Sequence, residues 1–148
     1  MISAPIIKVQ LLRDGAQAPE FMSASAAGAD LRACLDSPVM LNPGKRTLVP
    51  TGIALEIPPG YEGQIRPRSG LATKHGVTLV NTPGTIDADY RGEVKIIMIN
   101  LGDEPFQISD GDRIAQMLIS KVEQPVYQIV KGLSETPRNS GGFGSSGV

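Results

Sequence analysis

The sequence predicts an all-β fold in a single domain, and three observations support this prediction. Short apolar or β-branched runs recur along the 148 residues, at positions 6–12 (IIKVQLL), 47–57, 77–80 and 93–101. Turn residues separate these runs: 12 prolines and 17 glycines exceed the usual share but fall short of low-complexity disorder. The length suits one core and is too short for two ordinary domains. Short strands punctuated by Gly and Pro favour a sandwich or barrel over alternating α/β units.

The later strand predictions follow the apolar runs in chain order. Residues 47–57 (TLVPTGIALEI) are expected to give two short strands, because Pro50 and Gly52 would break a longer one. Residues 77–80 (VTLV) form a further strand candidate. Residues 93–101 (EVKIIMINL) are long and apolar enough to lie in the core.

Two segments carry helical signals. Residues 69–75 (SGLATKH) look locally helical but span barely two turns. Residues 113–122 (RIAQMLISKV) fit either a strand or a helix. The helical reading comes from an apolar stripe at Ile114, Met117, Leu118 and Val122. Periodicity alone leaves both possibilities open for this second segment.

Composition argues against several functional classes. The formal net charge of −1 gives no basic excess for a nucleic-acid partner. The single Cys34 cannot form an intramolecular disulfide, and with His75 it cannot make a Cys/His zinc site. No apolar run before Arg13 has signal-peptide length, and none approaches the roughly 18 residues of a membrane span. We therefore expect a soluble, cytoplasmic protein with no membrane partner.

Two segments could carry chemistry, and each also has a purely structural reading. In residues 67–70 (PRSG), backbone N–H groups converge beside an Arg and a Ser, which suits an anion, but a surface turn is equally compatible. Residues 81–92 (NTPGTIDADYRG) place Asp87 and Asp89 in a tight loop with Tyr90. A carboxylate there could hold and deprotonate a water, although loop aspartates usually cap turns.

The remaining polar positions are read more simply. Residues 111–113 (GDR) are expected to form a turn with a local ion pair between Asp112 and Arg113, and Gln116 to be a polar residue on a strand face. Asp30 is most simply a polar strand residue. The tail at 139–148 (NSGGFGSSGV) has the composition of a mobile linker, in which an aromatic residue is unexpected.

Five of these segments together resemble the motifs of the homotrimeric dUTP diphosphatase (dUTPase) family. They occur in the family's order at 27–33 (AGADLRA), 67–72 (PRSGLA), 81–94 (NTPGTIDADYRGEV), 111–118 (GDRIAQML) and 138–147 (RNSGGFGSSG). The resemblance implies a jelly-roll-like distorted barrel of the β-clip type with one short helix, and a strand at 113–122. It further implies a domain at 1–137 and a flexible C-terminal arm at 138–148 that closes over a neighbouring subunit's active site.

The resemblance also implies the reaction, which is hydrolysis of dUTP to dUMP and pyrophosphate with Mg²⁺. Asp87 matches the general base, and Tyr90 matches the aromatic residue that packs under the deoxyribose and excludes a 2′-hydroxyl. Asn81, with backbone of Thr85 and Ile86, matches the hairpin that reads uracil. Such an enzyme lowers the concentration of dUTP and supplies dUMP for thymidylate synthesis.

Other matched positions imply contacts along the nucleotide. Asp30 matches a carboxylate that holds the hydrated metal through water, and Lys95 a position that lines the pocket. The arm's Phe143 would lie on the uracil ring. The triphosphate contacts would come from Arg68, Ser69, Gly70, Gln116, Arg138, Ser145 and Ser146.

The sequence departs from the family at Asn139, where a glycine is common. Two alternatives stay open at this point. A dCTP deaminase shares the fold and much of the triphosphate site, although the IDADY stretch and the GGFGSSG arm match dUTPase better. A non-enzymatic module would bind dUTP and leave it intact.

Overall fold

A computed structural model describes residues 4–145 and 147. The described part contains ten strands and one helix. In chain order they are β1 Lys8–Leu11, β2 Ala29–Arg32, β3 Val39–Leu41, β4 Arg46–Glu56, β5 Tyr61–Arg66, α1 Ser69–His75, β6 Val77–Leu79, β7 Gly84–Ile86, β8 Glu93–Asn100, β9 Phe106–Ile108 and β10 Arg113–Lys121. The all-β prediction with one short helix is confirmed. No helix in these ranges could span a membrane.

The strands pair only in antiparallel fashion and form three sheets within the described residues. The first sheet has the order β1-β4-β8-β6, the second β2-β10-β5-β7, and β3 pairs with β9 alone. The expected barrel is not closed in this part of the chain, since each large sheet keeps two edge strands. The edges β6 and β7 are three residues long, and so offer too few backbone groups to continue a hydrogen-bonded ladder into another sheet.

Strand β4 is continuous, so the prediction of two separate strands in this region was wrong. Its pairing with β8 shifts register between Pro50 and Ala54, which marks a β-bulge. Gly52 adopts a φ of +70° in the bulge, and a Cβ atom on it would lie 2.8 Å from the Cβ of Ala16. The Gly52 N–H donates to Glu93 Oε1 at 2.9 Å. Pro50 and Gly52 therefore bend the strand without ending it.

Of the two segments with helical signals, one forms a helix and the other forms a strand. Helix α1 covers residues 69–75, as predicted, and ends where Gly76 takes a left-handed φ of +66° and donates its N–H back to the last turn. Residues 113–121 form strand β10, which pairs with β2 on one side and β5 on the other. Cross-strand pairing on both sides outweighs the helical spacing of the apolar residues in β10.

One apolar core joins the three sheets. Strand β8 supplies alternate buried residues, of which Val94 and Met98 are completely buried. Its last residue, Asn100, is equally buried, and its Nδ2 donates to the carbonyls of Leu41 at 2.9 Å and Glu104 at 2.7 Å. The amide therefore ties β8 to β3 and to the turn before β9 without an unpaired polar group.

We expect Met98→Ala to lower the free energy of unfolding by about 2–5 kcal/mol, because it removes a fully buried side chain and leaves a cavity. The matched control is Met40→Ala on strand β3, where 55% of the residue is exposed and a change within about 0.5 kcal/mol is expected. Urea denaturation of both variants at one protein concentration measures the difference. Equal midpoints would show that the core is not organised around β8.

Candidate functional site

A depression beside β7 brings together residues from the loop after this strand and from β8. Five residues singled out in the sequence line it: Thr85, Ile86, Asp87, Tyr90 and Lys95. Leu48, Glu93, Val94 and Ile97 complete the wall. Because β7 belongs to one large sheet and β8 to the other, the depression lies where the two sheets meet. We call it the loop depression.

The turn that carries Asp87 is held by its own backbone and by one arginine. The N–H of Tyr90 donates to the carbonyl of Asp87 at 3.1 Å, which closes the turn. The guanidinium of Arg91 donates to the carbonyls of Ala88 at 2.7 Å and Tyr90 at 3.1 Å. The Asp87 side chain stays exposed. This arrangement presents a carboxylate to solvent from a fixed backbone, as a water-activating group requires.

The Tyr90 side chain lies against the chain that follows it. Its hydroxyl donates to the carbonyl of Glu93 at 2.9 Å, and the residue is 44% exposed. A Cβ atom on Gly92 would overlap the Tyr90 hydroxyl, so glycine is required for the ring to take this place. Tyr90 lines the loop depression together with Asp87.

Asn81 lies at the other end of β7 and does not line the loop depression. It packs over Gly84, where a Cβ atom would lie 3.1 Å from Asn81 Nδ2. The Thr82–Pro83 peptide between them is cis. Strand β7 therefore separates Asn81 from Asp87, with the peptide groups of Thr85 and Ile86 between them.

A second depression collects the residues expected to contact phosphates. Asp30, Arg68, Ser69, Gly70 and Gln116 line it. Met22, Ala26, Gly28 and Arg113 complete the wall. Strand pairing brings these residues together, because Gln116 on β10 lies opposite both Asp30 on β2 and Arg66 at the end of β5. We call it the anion depression; it shares no residue with the loop depression.

Two arginines surround the buried carboxylate of Asp30. Arg68 Nε lies 3.4 Å from Asp30 Oδ1, and Arg113 NH1 lies 3.4 Å from Oδ2. Arg68 also donates to the carbonyl of Arg113 at 3.1 Å. The expected local ion pair between Asp112 and Arg113 is wrong, because Asp112 accepts the N–H of Ser109 at 2.8 Å instead. The arginines keep donors available for an anion.

Gln116 and the first turn of α1 complete the anion depression. Gln116 Nε2 donates to the carbonyl of Pro67 at 3.0 Å, which holds the strand end beside the helix. Arg68 occupies the N-cap position and makes no side-chain capping bond. Ser69 and Gly70 are exposed, and because they lie in the first turn their N–H groups have no intrahelical acceptor.

The residues fit the hydrated magnesium ion that the sequence resemblance implies. Among the described residues, no group of three or more His, Cys, Asp and Glu side chains is placed to hold a metal directly. Asp30 is the carboxylate of the anion depression. Each of its oxygens has one arginine contact, so lone pairs remain to accept hydrogens from a metal-bound water. Mg²⁺ commonly keeps several waters and needs few protein ligands.

The structure does not bring the tail residues to either depression. Arg138, Phe143 and Ser145 are exposed, and Phe143 has no measurable burial. Ser146 lies outside the described residues. Asn139 takes a φ of +41°, which a glycine adopts readily, and its side chain accepts the N–H of Thr136 at 2.8 Å. Asparagine thus replaces the glycine common in the family at a position where it tolerates the backbone.

Sequence reasoning gave no role to Glu93, although it lines the loop depression. Its carboxylate accepts a hydrogen bond from Arg13 NH2 at 2.6 Å. That bond is the main reason why the pKa of Arg13 is raised above its ordinary value. The two residues are 80 positions apart, so only strand pairing between β1, β4 and β8 shows that they meet.

Known proteins resemble this chain over almost its whole length. Deoxyuridine 5'-triphosphate nucleotidohydrolase of Syntrophotalea carbinolica is 64% identical over 141 residues, covering 95% of this chain and 96% of the relative. The protein of the same name from Roseobacter denitrificans is 61% identical over 130 residues, covering 87% and 86%.

Solved structures agree with the sequence relatives. A mutant dUTPase of Staphylococcus bacteriophage 80alpha, in complex with dUpNHpp, superposes with a TM-score of 0.87 at 28% identity, covering 97% of this chain and 99% of that one. A mutant dUTPase from phage phi11 of S. aureus, described with a structural Mg(II) ion, gives a TM-score of 0.78 at 26% identity over 86% and 97%. The dUTPase family model matches residues 14–147. This chain therefore belongs to the dUTPase family.

Proposed function

We propose that this chain hydrolyses dUTP to dUMP and pyrophosphate, with Asp87 as the general base and Mg²⁺ as the metal. One observation carries the assignment of the site. The solvent-exposed carboxylate of Asp87 and the flat ring of Tyr90 line the same depression, on a turn whose backbone is fixed by Arg91. Relatives that share more than 60% of the aligned residues act on deoxyuridine 5'-triphosphate by name.

In this proposal Asp87 holds a water in line with the α-phosphorus and removes its proton. The water oxygen forms a bond to the α-phosphorus while the bond from that phosphorus to the oxygen bridging the α and β phosphates breaks. Pyrophosphate leaves with the electron pair of the broken bond, and the proton rests on Asp87. No covalent bond to the enzyme forms. Catalysis then depends on positioning and on charge stabilisation around the displacement.

Base and sugar selection come from the hairpin around β7. Backbone groups of Thr85 and Ile86, with Asn81, would bond the amide-like edge of uracil. Cytosine would place a donor where an acceptor is needed, and a mispairing of this kind costs on the order of 1–3 kcal/mol. Thymine is excluded because its 5-methyl group has no room against a tight backbone hairpin. Tyr90 leaves no space for a 2′-hydroxyl.

The triphosphate would lie in the anion depression. Arg68, Ser69, Gly70 and Gln116 are the groups that would bind its oxygens, and Asp30 would hold the hydrated metal through water. When bound, Mg²⁺ supplies neutralisation of the charge on the triphosphate and on the departing pyrophosphate. The phage phi11 relative is described with a structural Mg(II) ion, which supports the choice of metal but not its place on the triphosphate.

A homotrimer would unite the two depressions of different subunits into one active site. In a single chain they share no residue. The outer face of the first sheet is apolar beside the loop depression: Leu48 is 54% exposed and lies opposite Ile97 in register, and Val80 is 49% exposed. Contiguous exposed apolar surface of this kind marks a protein interface.

The segment after β10 supports the same assembly. Four of its apolar side chains are 89–100% exposed: Val126, Tyr127, Ile129 and Leu133. We propose that they pack on a neighbouring subunit and that the arm at 138–148 closes over that neighbour's site. Phe143 would then cover the uracil ring, while Arg138, Ser145 and Ser146 reach the γ-phosphate. The domain of each subunit would be residues 1–137.

Lowering dUTP keeps uracil out of DNA, and dUMP supplies thymidylate synthesis, so we place the enzyme in nucleotide metabolism. The single buried and free Cys34 suits the reducing cytoplasm, where we propose the enzyme acts.

The deciding experiment incubates the purified protein with Mg²⁺ and dUTP in water enriched in ¹⁸O. We expect dUMP and pyrophosphate in equal amounts, with the label in dUMP alone, because attack at the α-phosphorus leaves the new oxygen there. Label in pyrophosphate would contradict attack at that atom. Intact dUTP that nevertheless binds would indicate a non-enzymatic module, and ammonia release from dCTP would indicate a deaminase.

A further inference from the structure

Glu93 is the first residue of β8 and the only carboxylate besides Asp87 among the described residues that line the loop depression. Its side chain is 16% exposed. The preceding residues are the Asp87–Tyr90 turn, Arg91 and Gly92. Glu93 thus stands at the junction between the exposed turn that carries Asp87 and the strand that follows.

The Glu93 carboxylate is bound by two other strands of its sheet. Its Oε1 accepts from Arg13 NH2 at 2.6 Å, just beyond β1, and from the N–H of Gly52 at 2.9 Å, in the bulge of β4. The second oxygen lies 3.9 Å from Lys95 Nζ. Charge-assisted bonds of this length are among the stronger hydrogen bonds in proteins. The start of β8 is therefore fastened to both β1 and β4.

The same residue holds the Tyr90 ring through its backbone. The Tyr90 hydroxyl donates to the Glu93 carbonyl at 2.9 Å, and the ring lies over Gly92, where no side chain would fit beneath the hydroxyl. Since 44% of Tyr90 is exposed, packing alone constrains the ring weakly. The Glu93 carbonyl that holds the ring is itself placed by the pairing of Glu93 with Ala54 on β4 and by the two bonds to its carboxylate.

We propose that Glu93 is a positioning residue for Tyr90, and that Arg13 and Gly52 act through it to set the discrimination between deoxyribose and ribose triphosphates. This inference rests on the proposed function and adds a specificity determinant that touches neither the sugar nor the phosphates. A ring held against the sugar excludes the 2′-hydroxyl by contact. A ring that can tilt away from the sugar leaves room for it.

The test is the ratio of kcat/KM for dUTP to kcat/KM for UTP. Glu93→Gln keeps the size of the side chain and its bond from Gly52 but loses the charge that binds Arg13. Arg13→Met breaks the same link from outside the depression. We expect each variant to lower the ratio by about tenfold, the discrimination that a modest steric contact supplies. For Arg13→Met we expect kcat with dUTP to stay within about twofold, because the change is remote from the reacting atoms.

Lys8→Met is the matched control, because it breaks a different ion pair, the 2.9 Å contact of Lys8 on β1 with Glu56 on β4. That pair is exposed and does not reach Tyr90, so the ratio should equal that of the wild type. The double variant of Arg13 and Glu93 should have the same dUTP to UTP ratio as the less selective of the two single variants, because both residues act through one contact.

Folded Glu93→Gln and Arg13→Met proteins with a wild-type ratio would overturn the inference. If Glu93→Gln does not fold, Arg13→Met alone decides. A wild-type protein that leaves dUTP intact would contradict the proposed function, and this inference with it. A wild-type protein that prefers dUTP over UTP, with variants that prefer it equally, would contradict only the inference.

Discussion

Asp87→Asn is expected to lower kcat for dUTP by about 10²- to 10⁴-fold while leaving nucleotide affinity nearly unchanged. The amide keeps the size of the carboxylate but cannot accept a proton from the attacking water. The turn that carries it should persist, because Tyr90 N–H and Arg91 bond to backbone carbonyls rather than to the Asp87 side chain. Single-turnover kinetics would measure the chemical step, and titration with dUpNHpp would measure binding.

Asp89→Asn is the matched control for this experiment. It makes the same change of charge two residues away on the same exposed turn, and Asp89 does not line the loop depression. Activity within about threefold of the wild type is expected, as for an ordinary surface substitution. Turnover by Asp87→Asn within about tenfold of the wild type would contradict the role of Asp87 as a base.

Deletion of residues 141–148 is expected to leave a folded assembly with kcat/KM for dUTP lower by on the order of 10²-fold, the scale on which lost positioning acts. The deletion removes no strand, since β10 ends at Lys121. It removes Phe143 and the two serines that are proposed to cover the base and reach the γ-phosphate. Thermal unfolding and sedimentation would show that fold and assembly persist. A truncated protein as active as the full chain would exclude the arm from the mechanism.

Mixing two defective chains tests whether the arm acts on a neighbour. The truncated chain keeps Asp87, and the Asp87→Asn chain keeps the arm. Refolding them together should restore activity above that of either chain alone, because some sites would combine an intact base with an intact arm. An arm that closes over its own subunit predicts no recovery, and the two chains refolded separately and then combined provide the control.

Local sequence predicts elements whose signals are local. Helix α1 was placed correctly at residues 69–75, where the sequence looked locally helical. Strands β6 and β8 followed from apolar runs that fit a buried sheet. Strands β3 and β9 were missed, since three residues are too few to show a period.

Features that depend on contacts between distant residues could not be predicted from the sequence. Gly52 looked like a strand break because its N–H acceptor, Glu93, lies 41 positions away. Arg113 was assigned to a neighbouring aspartate, although its partner Asp30 is 83 positions away. Five of the site residues on and after β7 do meet in one depression, and another five meet at the anion depression. No pattern within the sequence shows that these two groups lie apart on one chain.

The separation of the loop depression from the anion depression bears on how gene dosage and dilution would affect such an enzyme. A centre built from parts of different chains exists only while the chains stay associated, so the rate per molecule should fall once the protein is diluted below the dissociation constant of the assembly. A chain that is defective in both depressions would lose more than its own share of activity, because it would spoil two centres, one for each part that it contributes.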